Sequence, residues 1–431
     1  MIFRRFSPGV AFAGCLLLAG IAVSDDSQRH ISTFGNENGV AQTFSASGPL
    51  DTTGPFFQSL GTNGRSCATC HQPGDNWSVT PKHIQIRFDQ TQGLDPIFRT
   101  NDGSNCDTSD VSTVAARRKS YSQLLNKGLI RVSMDVPANA EFTVESVDSP
   151  YGCTSTTTLA LYRRPLPSTN LRFLTTIMWD GREPSLSTQA NDATTGHAQG
   201  QPLSAAVGQQ IVDFESALTT AQIEGPGGKL DEHGANGGAM ALVSQAFHLG
   251  INDPLNPPFN PAAMDIFAAL QSNDGKREAI ARGEALFNSK PISITGVTGL
   301  NNLVGDPFQG TCTTCHNTPN VGNHSVPLAI DIGLNAPSRR TPDMPLYTLK
   351  NKTTNATLQT MDPGRAMITG KWADIGKMKG PVLRGLSGRA PYFHNGSAAT
   401  LQDAVDFYDT RFGIGLSRQE KNDLVAFLSS L

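Results

Sequence analysis

The sequence predicts a mainly α chain with long loops and a few short strands, built as two similar halves. Three observations carry this. A C-x-x-C-H frame occurs twice, as Cys67, Cys70 and His71 and again as Cys312, Cys315 and His316. Each half later carries a similar apolar helix, IVDFESAL at 211–218 and LVAFLSSL at 424–431, with apolar residues on a helical period. Gly (42) and Pro (27) are plentiful while charged residues make up only 16% of 431, which fits a loop-rich chain wrapped around something better than a helical bundle with a charged coat. Frame, excursion and closing helix, twice over, read as an internal duplication; the plainer alternative is two unrelated amphipathic helices.

Taken in order, residues 1–24 read as a secretory signal peptide. Arg4 and Arg5 precede an apolar run, and Ala22-Val23-Ser24 forms a small-x-small cleavage site. The run is short for a permanent span, which needs about 20 apolar residues, so no membrane span is expected after cleavage. Residues 25–265 form the first domain and 266–431 the second. Segment 100–165, rich in Ser, Thr, Asp and Val, is expected as loops with short strands. The turn-rich stretches 224–239 and 252–263 read as connector. Helical period returns over 274–290, where Gly283 would let the last helix of the chain cross closely. Net charge is −3 with no basic block, which argues against nucleic acid as a partner.

Three chemistries compete for C-x-x-C-H: covalent attachment of a c-type haem with the His as iron ligand, half of a zinc site, or a redox dithiol. Chance accounts for roughly 0.002 such pentapeptides at this composition. A zinc ribbon needs its Cys pairs close in sequence, and a dithiol has no use for the His. Two covalently bound haems, with His71 and His316 as proximal ligands, are the expectation. Cys15 falls in the leader. Cys106 and Cys153 remain, either as a disulfide, suited to an exported chain, or as two buried thiols.

Two further motifs, MWDGREPSLSTQA at 178–190 and GPVLRGLSGRAPYFHNGSAATLQDAVDFY at 380–408, stand in order with the two frames. Together they resemble the bacterial di-haem cytochrome c peroxidases and their relative MauG. The resemblance implies two cytochrome c-like haem domains, the first meeting peroxide and the second passing electrons. It implies that Trp179 lies between the haems and carries charge, and that Gln189 lines the peroxide side of the first haem. His394 falls in the family's P-Y-F-H motif, next to a haem propionate. The family's acid–base Glu aligns with Gln199, whose amide cannot shuttle a proton. His197, two residues earlier, can take that role; otherwise it ligates the first iron or is a loop histidine. The Met that ligates the second iron in the peroxidases aligns with Tyr408, as in MauG, with Met367 and Met378 as alternatives in another register. The family also carries calcium between its domains, and the Asn that helps to hold it aligns with Arg164.

The expectation is therefore a periplasmic enzyme that reduces hydrogen peroxide with electrons from a small cytochrome c or cupredoxin. A MauG-like oxidation of a protein or organic substrate is the second reading. A di-haem electron carrier without catalysis is the third.

Overall fold

A computed structural model describes residues 29–254, 258–271 and 275–431. The expected signal peptide lies outside the described residues. Among them the architecture is mixed, 32% helical and 18% strand, which corrects the expectation of a mainly α chain with few short strands.

The six longest helices are α1 (Pro81–Thr91), α2 (Leu186–Gly196), α3 (Ala205–Ala217), α4 (Gly275–Ser289), α5 (Leu401–Phe412) and α6 (Arg418–Ser429). Five of them start where the sequence offers a hydroxyl cap. Thr80, Ser185, Ser204, Thr400 and Ser417 each accept a backbone N–H of the first turn, and at α2, α5 and α6 a reciprocal bond completes a capping box. Helix α4 matches the expected 274–290, and it crosses α6 at Gly283. A Cβ added there would stand 2.0 Å from the Asp423 carbonyl oxygen, so the crossing requires glycine. Phe287 and Phe427 meet in this interface with tilted rings, centroids 5.4 Å apart, in a core shared with Leu401, Val405 and Leu424. That core also takes in Leu230, Ala235 and Met264, from before residue 265.

Four antiparallel sheets hold the strands. β1 (Ile31–Asn36), β2 (Gly39–Ser45), β6 (Leu218–Gly225) and β7 (Gly228–Lys229) form one in the order β1-β2-β6-β7. β3 (Ile130–Asp135) pairs with β5 (Thr158–Arg163), and β8 (Ile292–Ile294) with β9 (Phe308–Gly310). The remaining sheet, β11-β10-β4, joins β4 (Phe142–Asp148) of the first half to β10 (Leu346–Asn351) and β11 (Thr357–Thr360) of the second. Alternation drives β10, whose burial alternates along LYTLKN as one face meets Phe142 and Leu161. Cys106 and Cys153 form a disulfide with Cα atoms 5.7 Å apart, tethering the loop before β5. No helix among the described residues is long and apolar enough to cross a membrane.

Candidate haem sites

The two frames fold alike. Each opens with a 3-10 turn closed by a capping box: Thr69 Oγ1 accepts the Ser66 N–H at 2.9 Å, and Thr314 Oγ1 the Thr311 N–H at 3.0 Å. The His N–H then donates to the carbonyl of the first Cys, at 3.0 Å in both frames. His71 Nδ1 lies 3.0 Å from the Trp77 carbonyl oxygen, and His316 Nδ1 2.6 Å from that of Gly322. A backbone carbonyl on Nδ1 fixes the ring and its tautomer and leaves Nε2 as the lone-pair nitrogen a metal needs. Burial pushes both imidazoles down to about 4, so both are neutral at physiological pH. All four thiols are free.

Beside the second frame is a cavity of about 1800 Å³ including its open mouth. Cys312, Cys315 and His316 are on its wall, with Tyr408, Met378 and Trp179. Tyr408 faces His316 at 6.4 Å between ring centroids. Burial raises its phenol well above the usual value. Met367 is packed elsewhere, against Phe142 and Ala366 in the sheet-joining core. Lys379 also lines the cavity. Burial, then the neighbouring Arg389 charge, push its ammonium down to about 8. Both groups stay largely cationic at neutral pH, with no carboxylate among the influences on either. An apolar cavity with two uncompensated buried cations, two thiols and a free imidazole nitrogen fits a haem with its two carboxylates.

The first frame is bordered by Phe56, Trp77 and Phe214, whose rings pack at 4.8–6.2 Å. Its neighbour is the segment that follows α2. Gly61 pairs with Gly200, and a Cβ on Gly61 would lie 1.9 Å from the Ala198 carbonyl oxygen. His197, the residue that ends α2, is thereby brought beside the frame. Its Nδ1 is 2.5 Å from Asp102 Oδ2, and Asp102 also pairs with buried Arg65. Arg65 donates in addition to the Pro96, Ile97 and His197 carbonyls. Burial alone would raise the Asp102 carboxyl, but the Arg65 charge and the His197 hydrogen bond outweigh it and hold it below the ordinary value. Gln189 stands on the same face of α2, two turns before His197, half-buried.

Trp179 and His394 meet between the two sites, rings at 6.0 Å in edge-to-face contact. They occupy equivalent places in two loops of the same shape. Ile177 bridges to Glu183 and Tyr392 to Ala398; Met178 and Phe393 share φ 66; Gly181 and Gly396 are left-handed. The loops feed α2 and α5 through Ser185 and Thr400. Each is anchored by the other half: Arg164 N–H donates to the His394 carbonyl at 2.7 Å, and Lys379 N–H to the Trp179 carbonyl at 2.8 Å. Trp179 Nε1–H donates to the Arg164 carbonyl at 2.7 Å, and His394 Nε2 is 2.9 Å from Asn335 Oδ1. Asp180 is a clamp: with Asp362 it holds Arg163, all three buried, at 2.5–2.8 Å. Asp102, Arg65, Asn335, Arg163, Asp362 and Lys379 were not singled out by the sequence, since each matters through a partner far along the chain.

Arg164 fills the place expected for a calcium ligand, and the residues there do not fit calcium. Its guanidinium donates to the carbonyls of Val79 (2.7 Å), Lys127 (2.9 Å), Gly128 (3.4 Å) and Arg389 (2.9 Å). The oxygens that a hard cation would need already face a positive charge.

No family model matches the chain. The cytochrome-c peroxidase IdrP1 of Pseudomonas sp. (strain SCT) is 29% identical over 201 residues, 42% of this chain and 45% of that protein. The cytochrome c551 peroxidase of Nitrosomonas europaea is 36% identical over 129 residues, 29% of this chain and 31% of that one. The matches thus span less than half the length of these relatives. A solved MauG-like protein associated with microbial copper homeostasis is 18% identical, covering 66% of this chain and 75% of that one, with a TM-score of 0.36. That score is too low to bear on the fold. Over the stretches that match, the chain is similar to bacterial cytochrome c peroxidases.

Proposed function

We propose that the chain is an exported, periplasmic di-haem peroxidase of two haem domains, 25–265 and 266–431. In this reading hydrogen peroxide takes two electrons and two protons to give two water molecules. The electrons come from a small cytochrome c or cupredoxin. Haem, when bound, supplies the iron that takes peroxide in the first half and the redox couple that stores an electron in the second.

The chain's residues then divide the work. His71 and His316 each present Nε2 to an iron. His197, steadied by Asp102, holds and moves a proton at Nε2, and the Gln189 amide adds a hydrogen bond. Trp179, edge-to-face with His394, carries charge between the halves. Lys379 and Arg389 offer positive charge to haem carboxylates.

One observation carries the assignment of peroxide to the first half. The two loops superimpose residue for residue along the sequence, so α2 and α5 are in register, and position 193 of α2 matches position 408 of α5. There the first half has Ala193, a methyl that cannot ligate, where the second has Tyr408. The first site is left open and the second is closed by a phenol.

Low-temperature electron paramagnetic resonance of the holoprotein, oxidised and half-reduced, tests this before and after one equivalent of peroxide. A high-spin signal that peroxide abolishes is expected. Two low-spin signals indifferent to peroxide in both forms would refute the enzyme and leave an electron carrier. A MauG-like activity on a protein or organic substrate is the second reading. Tyr408 favours it, because an anionic phenolate lowers the potential and stabilises oxidised iron. Turnover with reduced cytochrome and peroxide, against product formation from a partner, separates the two.

A further inference from the structure

We infer that the Arg164 guanidinium is a built-in substitute for a metal ion: a tethered cation that clamps the two halves and leaves the chain independent of calcium. The inference does not rest on the peroxidase reading.

The four carbonyls around Arg164 come from separate places. Val79 precedes the cap of α1. Lys127 and Gly128 end the short helix Ser122–Lys127, whose last carbonyls have no helical partner and attract a cation. Arg389 follows a 3-10 turn of the second half, two residues before Pro391 of P-Y-F-H. Oxygens converging from three segments onto one charge are what a hard cation assembles, and calcium would need six to eight of them at 2.3–2.6 Å. A planar guanidinium satisfies the same oxygens with directed N–H bonds at 2.7–3.4 Å.

The backbone is shaped for the side chain. Gly128 has φ +61, and a Cβ there would lie 2.1 Å from Arg164 Nη1. Arg164 is 5% exposed, and no carboxylate is bonded to it. Its main chain reaches the Trp179–His394 pair directly, accepting from Trp179 Nε1 and donating to the His394 carbonyl. Whatever fixes Arg164 therefore also fixes the 6.0 Å contact between those two rings.

The test is thermal unfolding of the holoprotein in excess EGTA and in millimolar calcium chloride, with metal analysis after dialysis. The wild type should unfold at one temperature in both media and retain no stoichiometric calcium. Arg164→Asn opens the carbonyl cage; its Tm should fall by about 5 °C in EGTA and recover with calcium chloride but not with magnesium chloride. One calcium retained per wild-type chain, or a wild-type Tm that drops in EGTA, overturns the inference. So does an Arg164→Asn protein whose Tm is unchanged, or one that calcium leaves unmoved. Should that variant not accumulate, the wild-type measurements decide alone.

Discussion

Asp102 is the residue whose replacement says most. Replacing it with Asn keeps the shape and removes the charge. The carboxylate now accepts from Arg65 on one oxygen and from His197 Nδ1 on the other. An Asn amide has one acceptor, so one of the two donors must face an NH2 group. Arg65 keeps its bonds to Pro96, Ile97 and His197 carbonyls, so the loss of stability falls short of the roughly 3–5 kcal/mol typical of a broken buried ion pair. About 2 kcal/mol is expected. The larger effect is on His197, whose ring loses the group that orients it. Removing such an outer partner costs roughly 10–100-fold, and a misplaced acid–base group more, so the peroxide step should slow about 100-fold. Stopped-flow absorbance of half-reduced holoprotein with peroxide reads that step directly, and Asp102→Glu should recover part of it. The donor's KM should not move, because Asp102 is buried, 5% exposed, and presents almost no surface of its own to a docking protein. A destabilised Asp102→Asn protein that reacts with peroxide at the wild-type rate would refute the positioning role.

Other outcomes are equally checkable. Trp179→Phe removes the indole bond to the Arg164 carbonyl, about 1 kcal/mol, and should slow electron transfer between haems in flash-reduction experiments while leaving both haem spectra unchanged. Tyr408→Phe deletes the phenol that faces His316; the second haem's absorption and spin state should change while the first's do not, and unchanged spectra would point to Met378. Gly283→Ala drives a methyl into the Asp423 carbonyl and should cost about 3 kcal/mol, read as a lower Tm by calorimetry. Glu284 is 2% exposed, and burial, against the bonds it accepts from Ile266 and Phe267 N–H, pushes its carboxyl up to about 7. The folded protein therefore keeps this proton to a higher pH than the unfolded chain, and stability falls as pH rises from about 4.5 through 7. Glu284→Gln should abolish that slope and stabilise the protein at pH 8 by at most about 3 kcal/mol, with no gain at pH 4.

What could be read from the sequence was local chemistry at fixed spacing. The two frames, the helix at 274–290 and the close crossing at Gly283 are properties of a few adjacent residues, and they stand as expected. The sheets were under-read because their strands pair across long intervals. β4 and β10 form one sheet from opposite halves, and a strand such as TLALYR, buried at five consecutive positions, carries no alternation signal. β6 begins at Leu218, the residue that closes the expected apolar helix, so a helix-period pattern ran straight into a strand. At the site, the residues that bear chemistry were visible and their supports were not. His197 stood out as an imidazole near a lost Glu, but Asp102 is one of many aspartates until the fold brings it to Nδ1.

The reciprocal bonds from Arg164 to the His394 loop and from Lys379 to the Trp179 loop have an evolutionary reading. Contact in which a patch on one unit meets the same patch on the other is the signature of an isologous dimer. Here the two loops belong to one polypeptide and share their bridge and their left-handed positions, so their contact has the form of one within a fused dimer, with Trp against His in the loops and Ala against Tyr on the helices that follow. In a fused dimer neither copy is a self-sufficient body, because each holds the other's loop. Two separately expressed halves should therefore find one another and reassemble, and each alone should remain incomplete, as an orphaned subunit does.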